Sequence, residues 1–135
     1  MEKHAIHLGN AWEPPADAGT ANPPDGAAKG VWIRRFGRPA GLEPVDRVLL
    51  VCKQPAAGAF RAELAFNGMS LPAIGPAMSR WQHDITHLLR DRNELFLVPL
   101  GAAALQSLPG RTAQRRMALP SEWCRVLMKI VSASD

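Results

Sequence analysis

His83 and His87, with Asp84 between them in Trp81-Gln-His-Asp-Ile-Thr-His-Leu-Leu-Arg90, come closest to a metal-binding spacing. On a helix, residues four apart share a face and could ligate one ion. This segment instead reads as a strand giving way to a turn, with His83 ahead of any helical part. Two ligands also fall short of the three or four a zinc site uses, so no metal is expected. Acid–base catalysis would need two carboxylates facing one reacting bond. The candidates are Glu13, Glu43, Asp46, Glu63, Asp84, Asp91 and Glu94. Glu63 falls on the outward side of a strand, Asp84 is better placed to cap a short turn, and no pair stands out. Cys52 and Cys124 each sit in an apolar run and read as small buried hydrophobes, not reactive thiolates. Gly26 and Gly30 frame an alanine-rich stretch without the lysine or spacing of a phosphate loop. The chain is not expected to be an enzyme.

Binding chemistry is better represented. The sequence has four tryptophans and no tyrosine, and exposed aromatic faces are a common platform for apolar sugar faces. Trp32 and Trp123 fall in strands and are expected to be core or half-buried. Trp12 borders a Pro-rich loop and Trp81 approaches the Asp84 turn, so these two are the pair to expect at a surface, if any tryptophan is exposed. Packing is the stronger expectation for both, because large aromatics are mostly buried. The candidate ligand-binding residues are Trp12, Trp81, His83 and Arg34. Arg111, Arg115 and Arg116 form the densest basic patch. A solvated loop accounts for them; the functional alternative is an anion or acidic-partner site, since guanidinium forks suit carboxylates and phosphates.

These residues must be positioned by a single domain, 1–135, long enough to bury a core without disulfide support. Apolar residues make up 47% of the chain and charged residues 21%, an ordinary globular balance. Sixteen Lys and Arg against twelve Asp and Glu leave +4. The excess is scattered instead of concentrated on one stretch, which argues against nucleic-acid binding. The start, Met1-Glu-Lys-His-Ala-Ile-His7, lacks the apolar run of a signal peptide, and no later window approaches a membrane span. A soluble cytoplasmic protein with no membrane partner is the expectation, its cysteines reduced; spacing alone does not decide whether they pair.

The periodicity is that of strands. Residues 13–30 hold four prolines and no hydrophobic period, which reads as a long loop. Residues 6–8 and 30–38 are short strand candidates. Asp46–Lys53 is apolar on both alternating faces and reads as a central strand covered on both sides. In 60–66, Phe60, Ala62, Leu64 and Phe66 point one way, Arg61 and Glu63 the other. Asn67-Gly68 then supplies the two positive-φ residues of a type I′ hairpin turn. Residues 69–71 return, cut short by Pro72. Residues 94–100 form another strand, and Cys124, Val126, Met128 and Ile130 mark one face of the last. Residues 84–90 hold a single helical turn capped by Asp84 or Thr86. Residues 102–108 and 111–118 lack strong caps, so 101–122 is read as irregular. About eight short strands with turns between them predict an all-β sandwich of two antiparallel sheets.

In order, these pieces resemble the sugar-binding, galactose-binding-like jelly roll at the front of β-galactosidase and β-glucuronidase type glycoside hydrolases. Leu8-Gly-Asn-Ala-Trp12 is similar to that family's opening strand and tryptophan. Trp32-Ile-Arg-Arg-Phe36 with Pro39 and Leu42 resembles its second strand, and Arg47-Val-Leu-Leu-Val51 the following core strand. Ala65-Phe-Asn-Gly68 looks like its hairpin. Asp84-Ile-Thr-His-Leu-Leu89 with Asn93-Glu-Leu-Phe-Leu97 looks like its Asp-x-Thr-x-x-Leu turn and next strand. The region 101–122 has no counterpart. What the resemblance implies is a jelly-roll scaffold, with Asn67, Gly68 and Asp84 in structural turns. In that family, hydrolysis belongs to a separate barrel domain with two catalytic carboxylates, for which 135 residues leave no room. The implied function is a non-catalytic binding module, with carbohydrate the favoured ligand and loops at one end of the sandwich the site. A protein-interaction or assembly module, using a sheet face or edge strand, is the alternative. No cofactor is expected; a structural calcium ion held by backbone oxygens is compatible with the resemblance and leaves no mark in the sequence.

Overall fold

A computed structural model describes residues 2–13, 31–55, 60–75, 80–100, 116, 118–119 and 123–132. Nine strands run through them: β1 (Glu2–His7), β2 (Trp12–Glu13), β3 (Trp32–Gly37), β4 (Asp46–Lys53), β5 (Arg61–Phe66), β6 (Met69–Ile74), β7 (Arg80–Asp84), β8 (Arg92–Leu100) and β9 (Arg125–Ser132). They form two sheets, ordered β1-β9-β4-β7 and β2-β3-β8-β5-β6. Every pairing is antiparallel. The expected β-sandwich is what forms. No helix among the described residues is long and apolar enough to cross a membrane.

The pattern that distinguished β4 has a direct structural counterpart. β4 lies between β9 and β7, and Val48, Leu50 and Cys52 face the core. Val51, on its other side, is also buried, opposite Leu127 of β9. β5 alternates as its sequence demands, with Ala62, Leu64 and Phe66 buried and Arg61 and Glu63 exposed. The turn after it places Asn67 at φ 50° and Gly68 at φ 85°, the two positive values of a type I′ turn. Between the sheets, Trp123 meets Trp32 edge-on at 5.4 Å and stacks on Phe60 at 5.1 Å. These rings tie the segment leading into β9 of one sheet to β3 and β5 of the other.

Two expectations change. β6 does not stop before Pro72 but continues to Ile74. It is the outermost strand of its sheet, and an edge strand tolerates a residue without an N–H. The expected helical turn is a short 3-10 turn, Thr86–Leu88, with Ile85 at the cap position and no side-chain cap. Asp84 braces the turn from one residue further back, accepting the Thr86 N–H at 2.9 Å and the Thr86 hydroxyl at 2.5 Å. Of the long loop, residues 14–30 lie outside the described residues, as does 101–122 apart from Arg116, Ala118, Leu119 and no others.

Candidate functional site

The hydrogen bonds of Asp84 and Thr86 shape one end of the sandwich. Thr86 Oγ1 accepts the Val48 N–H at 2.8 Å, and the Ile85 N–H donates to the Val48 carbonyl at 2.9 Å. The Asp-x-Thr unit is therefore a latch that holds the turn after β7 against β4. Beside it, Pro44, Val45, Asp46, Arg47, Asp84, Thr86 and His87 line a cavity of about 300 Å³, at the low end of the range for small-molecule sites. Its lining is mixed. Val45 is 48% exposed, a large hydrophobe left in solvent, and Arg47 stands 3.7 Å from Asp84 across an exposed ion pair.

The two carboxylates at this end are already committed. Asp46, with its side chain 1% exposed, accepts the Glu43 N–H at 2.9 Å and the Lys3 ammonium at 3.0 Å. These bonds, the backbone one foremost, hold its carboxyl below the usual carboxylate range. Burial pushes Asp84 up, but its bonds from Thr86, with help from Arg47 and His87, leave it below the ordinary value. No group of three or more His, Cys, Asp or Glu that could hold a metal ion occurs among the described residues. A depressed carboxyl stabilises the fold at neutral pH, and that contribution is lost as pH falls through the depressed value. Asp46→Asn is thus expected to lower the urea midpoint at pH 7, with the gap to the parent closing below about pH 4. A gap constant down to pH 2 would show that the Asp46 charge adds nothing.

The residues singled out in the sequence are dispersed by the fold. Trp12 and Trp81 are not surface platforms: they are 0% and 3% exposed. Trp12 donates its indole N–H to the Leu8 carbonyl, and Trp81 donates to the Pro72 carbonyl at 3.0 Å, bridging edge strands of the two sheets. An indole can be buried in this way because its one polar atom finds a partner, and neither ring face is left for a ligand. His83 is half-buried on β7, its ring 6.1 Å from Trp81, and is not among the cavity residues. Cys52 and Cys124 are both buried and free; the neighbouring Cys124 thiol, together with burial, pushes Cys52 well above the ordinary thiol value. Such thiols are not nucleophiles. Arg34 lies on β3 and is not among the cavity residues; of the basic patch, Arg116 is exposed, while Arg111 and Arg115 lie outside the described residues. Sequence reasoning passed over Pro44, Val45 and Arg47, whose only signal is a hydrophobe, Val45, set between a proline and a strand's first charged residues.

Comparison with known proteins bears on this arrangement. No protein-family model matches the sequence, and no curated protein does. Solved structures do. The fold is that of a segment of glycoside hydrolase chains of the β-glucuronidase and β-galactosidase type, as the sequence motifs implied. An FMN-binding β-glucuronidase from F. prausnitzii L2-6 superposes with a TM-score of 0.58 at 20% identity, over 96% of this chain and 22% of its own. A Bifidobacterium dentium β-glucuronidase, complexed with coumarin-3-O-glucuronide, gives 0.56 at 16% identity, over 96% and 30%. A chain from Bacteroides fragilis assigned as a β-galactosidase gives 0.57 at 13% identity, over 96% and 23%. Most of the length of each of these proteins therefore has no counterpart in this chain. Likeness at such identity is likeness of fold, and function has to be argued from the site.

Proposed function

We propose that this domain is a non-catalytic binding module for a carbohydrate, with the Pro44–His87 cavity as its site. The observation that carries the reading is the fold shared with glycosidase chains, at less than a third of their length. The cavity suits the chemistry. A sugar presents hydroxyl edges and apolar C–H faces, and here Arg47, Asp84, Thr86 and His87 stand beside exposed Val45 and Pro44. The exposed Asp84 carboxylate, oriented by Thr86 and Arg47, can accept from a sugar hydroxyl and is a poor general acid, which fits binding without hydrolysis.

A thermal-shift series against mono- and oligosaccharides tests this. A ligand at ~100 times its Kd adds about 2.7 kcal/mol, several degrees for a domain of this size. One sugar class is expected to raise the melting temperature, and Val45→Asp or His87→Ala, both at exposed positions, should remove the shift while leaving the ligand-free protein unchanged. No shift at millimolar sugar would sink the carbohydrate reading. A shift that survives both substitutions would place the site elsewhere.

A second reading, a protein-interaction module, is favoured by β6. This edge strand carries no charge along Met69–Ile74, and Met69 is 55% exposed. Edges are ordinarily guarded by charges or proline, and here Pro72 is the single guard.

A further inference from the structure

Arg34 is out of place on β3. Trp32 and Phe36 flank it on the same face of the strand, and its cross-strand partners are Trp12 of β2 and Leu95 of β8. Trp12 and Leu95 are both 0% exposed, so the arginine stem leaves the core-facing side of the sheet. The acids of this sheet do not serve it: Glu13 and Glu94 are paired with Arg35, on the opposite face, and Glu63 is exposed on the outward side of β5. One Arg34 amino group donates to the Arg35 carbonyl at 2.7 Å. Its Nε, however, is buried and has no acceptor among the described residues, and the same holds for Nε1 of Trp32, which is 1% exposed. Orphaned buried donors are costly, and two on one face of one strand point to an acceptor that the described residues do not supply.

A second cation lies close by. The Leu119 N–H donates to the Gly9 carbonyl at 3.1 Å, which sets Leu119, three residues after Arg116, against the turn that leads into Trp12. Arg116 is exposed. Burial first, and then the nearby Arg116 charge, holds the Arg34 guanidinium below its ordinary value. Two like-charged guanidiniums with no acid between them among the described residues repel each other, and an anion between them reverses the sign of that interaction.

We propose that Arg34 and Arg116 form a binding site for an oxyanion, a carboxylate or phosphate group, with the buried Arg34 Nε–H as a donor and the Trp32 indole N–H as the next unfilled donor on that face. The site shares no residue with the Pro44–His87 cavity, so it stands or falls apart from the carbohydrate reading. By contrast, Lys3 and Arg47 on other strands, and Arg35 on the opposite face of β3, each stand beside an acid.

The Trp32 indole and Arg34 Nε–H protons are each visible in a nitrogen-correlated NMR spectrum, which gives the test a local readout. The full chain is titrated at constant ionic strength with inorganic phosphate, with acetate, and with glucose as a neutral control. Saturable movement of both resonances with phosphate, acetate or both, and none with glucose, is the expected result. Phosphate alone would assign a phosphorylated ligand or free phosphate, acetate alone a carboxylate. Arg116→Gln, at an exposed position, should keep the fold and weaken the anion about tenfold; Arg34→Met should abolish its effect on the Trp32 resonance. Silence toward both anions, or equal affinity in Arg116→Gln, overturns the proposal.

Discussion

Trp123→Ala is expected to lower the unfolding free energy by about 3–5 kcal/mol, a large share of the ~5–15 kcal/mol typical of a natural domain. The side chain is 2% exposed. Its ring stacks on Phe60 at 14° and meets Trp32 at 79°, so alanine removes a buried indole and two aromatic contacts together. Trp32 belongs to β3 and Phe60 leads into β5, in the five-stranded sheet, whereas Trp123 leads into β9 in the other. The cavity left behind opens between sheets, where neither can relax toward the other without disturbing its own ladder. Urea denaturation checks this: the midpoint should fall with the slope preserved, the mark of a change in stability alone. Trp123→Phe, which keeps a ring against Phe60, should retain more than half of the lost stability. A loss below about 1.5 kcal/mol for alanine would mean the site collapses around the gap, contrary to the packing described.

The same cluster shows where the sequence was legible. Strict alternation in 60–66 and the double apolar face of Asp46–Lys53 reported the environment of β5 and β4 directly, because strand side chains alternate with a period of two. Asn67-Gly68 was equally plain, since few residues accept positive φ. Other features depend on context that no local pattern carries. Whether Pro72 ends a strand depends on whether that strand is an edge, which is a property of the sheet. Whether Trp12 and Trp81 are buried depends on acceptors, the Leu8 and Pro72 carbonyls, supplied by neighbouring turns and strands. Arg34 did leave a trace: in Trp32-Ile-Arg-Arg-Phe36 the alternation sets it on the side of two aromatics, the wrong side for a cation. The cavity left almost none, because its residues come from two segments far apart in sequence that meet through the β4–β7 pairing and the Thr86 and Ile85 bonds to Val48.

Asn93 is the other position whose loss should be severe, and its sequence context, between two charged residues, hides it. The side chain is 1% exposed. Its Oδ1 accepts the Arg90 N–H at 2.8 Å and the Asn67 side-chain amide at 2.9 Å, and its Nδ2 donates to the Arg90 carbonyl at 3.0 Å and the Phe36 carbonyl at 3.4 Å. Asn67 completes the clasp, accepting the Glu94 N–H at 2.9 Å and donating to the Leu88 carbonyl at 2.7 Å. The two amides thus join the β5–β6 hairpin turn, the residues after the 3-10 turn, the end of β3 and the start of β8. Asn93→Ala leaves several of these groups without partners, at about 1–3 kcal/mol for each that water cannot reach. A net loss of about 3 kcal/mol is expected, near 10 °C in melting temperature for a chain of this length. Asn67→Gly is the matched second change, because glycine accepts the positive φ at that position and only the side chain is lost. Residues in one hydrogen-bonded network couple by roughly 0.5–3 kcal/mol in a double-mutant cycle. The double variant should therefore be more stable than the sum of the two single losses predicts. Strict additivity would show instead that each asparagine holds its own backbone contacts and that the bond between them contributes nothing to the joint.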